Sequence, residues 1–195
     1  MTDDPTSTEP SSERDAEPSF LRQAVETVIT VAIAILLAQG VRAYVAEGYQ
    51  TPTGSMVPTI ETTDYTMFSK ITYRFGTPRP GDIVTLDDPE GRLPMLMKRV
   101  IAVGGQTVDV REGRVWIDGA ALDEPYTHGM RSEPLPGSSV AYPVKVPDGF
   151  VWVMGDNRPN SHDSRWFGPV PVSSVHGKAF FTYWPIARWG LPNGR

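Results

Sequence analysis

From Thr27 to Val41 the chain runs fifteen residues (TVITVAIAILLAQGV) without a charge, the one long apolar stretch in the sequence. Glu26 and Arg42 bracket it. If both charges reach outward to an interface, the apolar span extends over 24–45, about 20 residues, enough to cross a bilayer as a helix. Two other uses of such a run compete. A core helix of a small domain would keep one polar face, whereas Val28–Leu37 is apolar on nearly all sides. A cleavable secretory signal has the right apolar length, and Val41-Arg42-Ala43 offers small residues near a cut, but it wants a short basic start. Residues 1–22 instead hold six acids (Asp3, Asp4, Glu9, Glu13, Asp15, Glu17) against Arg14 and Arg22. The reading is therefore a disordered acidic tail over 1–22, too poor in apolar side chains to offset ordering entropy, and a transmembrane anchor over 23–46. Arg22 and Arg42 balance, so charge alone leaves the orientation open.

From Gly48 onward the pattern changes to short apolar runs punctuated by Gly, Pro and Asp. Ile83–Leu86, Val100–Val103, Val108–Val110, Val115–Ile117 and Val151–Met154 are of strand length, and Glu112-Gly113 is placed as a hairpin turn between two of them. With 19 prolines and no helical periodicity after residue 46, the predicted class is mainly β: an all-β domain over 47–195 behind the single helix. Residues 121–143 read as a long surface loop, within a small β excursion inserted at about 104–146.

Composition removes several functions. Outside the tail the charge is close to balanced, so no basic patch invites nucleic acid. There is no cysteine, hence no disulfide, thiol nucleophile or thiolate metal site. The histidines (His128, His162, His176) lack ligand spacing; no metal and no cofactor is expected.

Three segments carry possible chemistry. Ser55 lies in Thr53-Gly54-Ser55-Met56-Val57-Pro58-Thr59, thirteen residues beyond Arg42. A serine there is by itself most simply a turn residue, and neither G-x-S-x-G nor S-x-x-K is present. Lys98 follows 43 residues later; on a strand it would share a face with Leu96, Val100 and Ala102, where lost hydration lowers an ammonium's pKa. By composition alone it is equally an edge lysine whose head reaches water. Third, Gly155-Asp156-Asn157-Arg158-Pro159-Asn160-Ser161-His162-Asp163-Ser164-Arg165 is a polar segment between strand-like runs, a composition suited to a hydrogen-bonded scaffold. A Ser/His/Asp triad using His162 and Asp163 is disfavoured, because neighbours on an extended chain point oppositely.

Together these segments resemble the bacterial type I signal peptidase family, Ser/Lys proteases of family S26. The resemblance rests on Pro52–Thr59, Gly81-Asp82-Ile83-Val84, Lys98–Gly105 and Gly155–Arg165, in that order, behind an anchor, and it covers about residues 25–185. It implies that Ser55 is the nucleophile and Lys98 its general base, and that the Ser55 N–H and the Thr53 hydroxyl form the oxyanion hole. Ser161 would hydrogen-bond and orient the lysine, with Asp156, Asn160, Asp163 and Arg165 in support. The substrate, an extended signal peptide, would lie as a strand between 48–54 and 95–97, flanked by Gln50, Pro52, Met95 and Met97; Met97 stands where an aromatic is common. The resemblance further implies the cytoplasmic membrane of a bacterium, with the tail inside and the β domain outside. The partners would be the signal peptides of secretory preproteins and the lipid bilayer. Met56, Val57, Met95, Met97, Trp184 and Trp189 are expected to be exposed and to rest on the interface. Two other readings remain: a self-cleaving Ser/Lys relative, and a membrane-anchored β binding module without catalysis.

Overall fold

A computed structural model describes residues 20–51 and 53–192. The expected tail therefore lies outside the described residues apart from its last three positions, as does Pro52. The chain divides into two units, one ending at Gln39 and one beginning at Gly40. The expected anchor falls on helix α1, Phe20–Tyr44, 25 residues with none buried. Its apolar window has a mean hydropathy of 2.0, long and apolar enough to cross a membrane. The last turn of α1 lies within the second unit and is tied to it. Lys70 Nζ donates to Arg42 O at 3.3 Å, and Arg74 sits over the Tyr44 ring at 5.7 Å.

The second unit is mainly β, as the residue pattern predicts. Its strands are β1 (Ala46–Gln50), β2 (Tyr65–Ser69), β3 (Ile83–Leu86), β4 (Leu96–Val103), β5 (Thr107–Arg111), β6 (Arg114–Ile117), β7 (Ala120–Ala121), β8 (Val144–Lys145), β9 (Phe150–Met154), β10 (Val170–Pro171) and β11 (Val175–Trp184). One antiparallel sheet has the order β1-β2-β11-β3-β4-β9-β10, and a smaller one the order β7-β6-β5-β8. The β5–β6 hairpin turns at Glu112 (φ 56°) and Gly113 (φ 78°), the paired positive φ values whose twist matches a two-residue hairpin. After the β sequence begins, the described residues hold only one α-helix, α2 (Ser164–Phe167). It starts at Asp163, whose carboxylate accepts the Arg165 N–H.

β4 positions the chemistry. Its residues Leu96–Ala102 are buried on both faces, because β3 and β9 flank it and core lies on each side. Leu96 and Val100 pack with Val84, Leu86, Val151 and Val153. Alternation would put Ala102 on that face too. Instead the β4–β9 register shifts between Val100 and Ala102, and Ala102 joins Ile101 in a second cluster around Trp152, Val108 and Val115. A bulge adds one residue to a strand and so reverses which face the following side chains take.

The 121–143 segment has little regular structure, as expected of a loop, but it is more than surface. Glu124 and Ser132 both accept from Arg158 Nη1, Glu124 at 2.9 Å, and Ser138 Oγ donates to Arg165 O at 2.8 Å. The loop thus supplies partners to two buried arginines of the 155–165 segment.

Candidate active site

Ser55 sits in a short 3-10 turn, Gly54–Met56, closed by Val57 N donating to Gly54 O at 3.2 Å. The turn is pinned from two sides. Met56 and Ile60 are fully buried with Phe68, Ile83, Met97 and Ala179. From the other side Asn157 N donates to Ser55 O at 3.0 Å and Asn157 Nδ2 to Gly54 O at 2.9 Å. Met56 and Met97 are therefore core residues, not the exposed interfacial ones expected. The turn folds Met56 inward, and Met97 faces away from its neighbour Lys98, with Thr51 Oγ1 on its sulfur at 3.6 Å. Val57 and Met95 are half-buried.

The structure brings Lys98 to Ser55. Lys98 is 2% exposed, and its Nζ donates to Ser55 Oγ at 2.8 Å and to Met97 O at 3.0 Å. Burial, the largest influence, lowers its pKa from 10.5 to about 8; the carboxylates of Asp163, Asp88 and Asp156 pull the other way. An amine in that range is neutral for a useful fraction of the time near neutral pH, and the hydrogen bond can then reverse so that the serine hydroxyl donates. Thr53 Oγ1 lies 3.3 Å from Ser55 Oγ, so a second hydroxyl borders the nucleophile.

Arg99, next in sequence, fixes the strand that presents Lys98. It forms a two-pronged pair with Asp156, Nε to Oδ1 at 2.8 Å and Nη2 to Oδ2 at 2.7 Å, and Nη1 donates to Gly81 O at 2.9 Å. Both partners are almost wholly buried. Removing one partner of such a pair costs about 3–5 kcal/mol, because the other charge is left desolvated. Asp163 and Arg165 form a second such pair, Nε to Oδ1 at 2.9 Å, and Asp163 also accepts from Gly155 N at 3.1 Å.

Ser161 is placed differently from expectation. Its Oγ is buried without a hydrogen-bond partner, and Lys98 Nζ spends its bonds on Ser55 Oγ and Met97 O instead. Asn160 is exposed, with a backbone bond to Asn157 O but no side-chain bond described; it borders the cleft. Asn157, which the sequence reading passed over, holds the nucleophile turn. Its signal was its place beside Asp156 in the same polar run. His162 meets Glu90 Oε2 at 2.7 Å, while Ser55 Oγ is engaged by Lys98 and Thr53, so no Ser/His/Asp triad is formed.

A cleft of about 300 Å³ opens over Thr53, Ser55 and Lys98, walled by Leu93, Leu96 and Asn160. Of the expected substrate flanks, Gln50 is exposed at the end of β1, and Met95 borders a separate hollow of about 350 Å³ beside Tyr49. A roomier hollow of about 460 Å³ beside Glu112, Arg114 and Arg131 brings no nucleophile and base together. Among the described residues no group of acids and histidines could hold a metal ion.

The family model for signal peptidase, peptidase S26, matches residues 24–184 of this chain. The chain belongs to that family of peptidases. A signal peptidase I of Leptolyngbya laminosa is 37% identical, covering 96% of this chain and 94% of that protein. A probable signal peptidase I-1 of Synechocystis is 40% identical over 89% of each. In Mycobacterium tuberculosis a signal peptidase I is 36% identical, covering 91% of this chain and 77% of that protein. The solved signal peptidase I of Enterococcus faecalis V583 aligns at 31% identity with a TM-score of 0.46, over 53% of this chain and 97% of that one. The mainly β class rests on the strand pairing itself.

Proposed function

We propose that this S26 peptidase is a membrane-anchored serine endopeptidase that removes signal peptides from secretory preproteins by a Ser55/Lys98 dyad. The observation that carries it is the 2.8 Å bond between Lys98 Nζ and Ser55 Oγ at a buried lysine whose pKa is lowered to about 8. Lys98 as the neutral amine takes the Ser55 proton while Oγ attacks the carbonyl carbon of the scissile bond. The Ser55 N–H and the Thr53 hydroxyl receive the oxyanion. The lysine then hands its proton to the leaving amine, and water, activated by the same amine, releases the acyl chain. Ser161 Oγ, unpartnered in the free enzyme, is available to take up Lys98 once Ser55 is acylated. Asp156, Asp163 and Arg165 act as positioning residues for the strand and segment that carry these groups. The reading separates from a non-catalytic β module in one assay: incubation of the purified chain with a preprotein and mass measurement of the products. Cleavage after the signal peptide by wild type, and none by Ser55→Ala, is expected; an intact preprotein would sink the reading.

Anchoring by α1 in a bacterial cytoplasmic membrane, catalytic unit outward, completes the proposal. Support comes from the length and hydropathy of α1 and from the apolar groups Trp184, Ile186, Trp189 and Leu191, each more than half exposed. Tryptophan is favoured at the membrane–water boundary. Replacing Trp184 and Trp189 together by Ala is expected to slow cleavage in lipid vesicles about 3- to 10-fold relative to detergent, an interfacial contribution on the order of 1 kcal/mol. Equal rates in both media would remove the interfacial role.

A further inference from the structure

The cleft continues past Lys98, and its continuation has a built rim. Asp88, buried, accepts the backbone N–H groups of Glu90, Arg92 and Leu93, each at 3.0 Å, and so sets the course of the loop between β3 and β4. From that loop Leu93 and Arg92 line the cleft, and His162 lines it from the 155–165 segment. Glu90 joins the two segments. Its Oε2 takes Arg92 Nη2 at 2.9 Å and His162 Nε2 at 2.7 Å. Glu90 itself lines a different hollow, beside Ser138 and Trp166, so its carboxylate reaches Arg92 and His162 from behind the rim.

The chemistry gives this continuation a direction. The stretches proposed to hold the peptide before the cut include Tyr49 and Met95, and these border the separate hollow beside Ala43 and Lys70. Lys98 must reach the leaving amine, so the first residue of the released chain lies beside it, toward Leu93. The residue after that comes to the rim. Lys98, Arg92 and His162 face this space as cations or potential cations and Asp88 as an anion, with Glu90 behind Arg92 and His162. The Asp88 carboxylate is already engaged by three N–H groups, and burial together with those bonds governs its titration, the bonds holding it below the usual carboxylate range. Glu90 is engaged by Arg92 and His162. Arg92 shares that carboxylate with His162, meets it through Nη2, and with its side chain 53% exposed still offers the rest of its guanidinium to an incoming side chain.

We propose that this part of the cleft is a subsite for the first two residues of the released mature chain, and that Arg92 selects acidic or neutral over basic side chains at the second. The inference rests on the proposed Ser55/Lys98 reading of the same site. Three preproteins differing only at the second residue after the cut, bearing Glu, Gln or Lys, are given to the full chain and to Arg92→Glu and Arg92→Gln. Wild type is expected to favour Glu over Lys in kcat/KM by about two- to fivefold, the scale of a partly exposed charge pair. Arg92→Gln should flatten that ratio and Arg92→Glu reverse it. Each ratio is internal to one preparation, so partial misfolding of a variant cancels. An identical Glu/Lys ratio in wild type and Arg92→Glu would overturn the subsite while leaving the protease reading intact. Failure of wild type to cut any of the three would bring down both.

Discussion

Lys98→Met is expected to abolish preprotein cleavage with the fold intact, the loss being on the order of 10⁴-fold or more, the scale seen when a serine hydrolase loses its base. Ser55→Ala should lose as much and the double variant hardly more, because the two groups act as one unit. Lys98→Arg should fail too, since a guanidinium keeps its proton at any usable pH. The wild-type profile follows from burial. With the lysine pKa at about 8, kcat/KM should rise with pH as the neutral amine accumulates and level off above that value. A flat profile from about pH 6 to 9 would exclude Lys98 as the base.

The same group leaves a mark on stability. Its folded pKa of about 8 lies below the unfolded value of 10.5, so between those values the unfolded chain holds a proton that the folded chain has shed. Stability therefore rises with pH across that window, and the full penalty of burying the ammonium is felt below it. Lys98→Met has no such penalty. The stability of the variant relative to wild type should be greatest near neutral pH and fall by about 3 kcal/mol toward pH 10.5, whatever fixed cost the lost hydrogen bonds impose. Denaturant titrations of both proteins across that range measure it; a constant difference would show that the buried amine does not titrate there.

Gly155→Ala carries the second large effect. A Cβ at this position would fall well inside contact distance of Ser161 Oγ and of Ser55 O. Ser55 O cannot retreat freely, since it accepts from Asn157 N, and Gly155 itself is tied through its N–H to Asp163 and through its carbonyl to Arg158 Nε. The added methyl must displace the nucleophile turn. Overpacking of this kind costs about 1–3 kcal/mol. A shift of about 1 Å at a reacting atom costs on the order of 10²-fold in rate. A fall in kcat far larger than the loss of thermal stability is the expected pair of results. Wild-type kcat with unchanged Tm would mean that the segment yields without moving Ser55.

Much of the fold was legible because its signals are local. An apolar run that reaches spanning length with its flanks gives a helix, alternation broken by Gly and Pro gives strands, and Glu112-Gly113 supplies the two positive φ values of a tight hairpin. Where the reading missed, the deciding contact came from another element. Ala102 leaves the Lys98 face because the partner strand imposes a bulge at Ile101, and no pattern within β4 records that register. Met56 and Met97 look interfacial by type and are core by position. Asn157 and Asn160 are equivalent in composition, yet the 3-10 turn over Arg158–Asn160 sends the first toward Gly54 and leaves the second exposed. The loop over 121–143 read as surface alone because nothing in its own residues shows that it partners Arg158 and Arg165.

The sequence by itself determined the class of elements, the order of the polar and apolar segments and the residue types on which chemistry could run. Those follow from side-chain size, charge and spacing along one chain. Only the tertiary structure decided that a serine at 55 and a lysine at 98 share a hydrogen bond, because that distance is set by sheet register, by the Arg99–Asp156 pair and by burial on both sides of β4. The pKa that makes the lysine a usable base belongs to the same level. Desolvation is a property of what surrounds an amine in space, and those surroundings are assembled from segments more than a hundred residues apart in the chain.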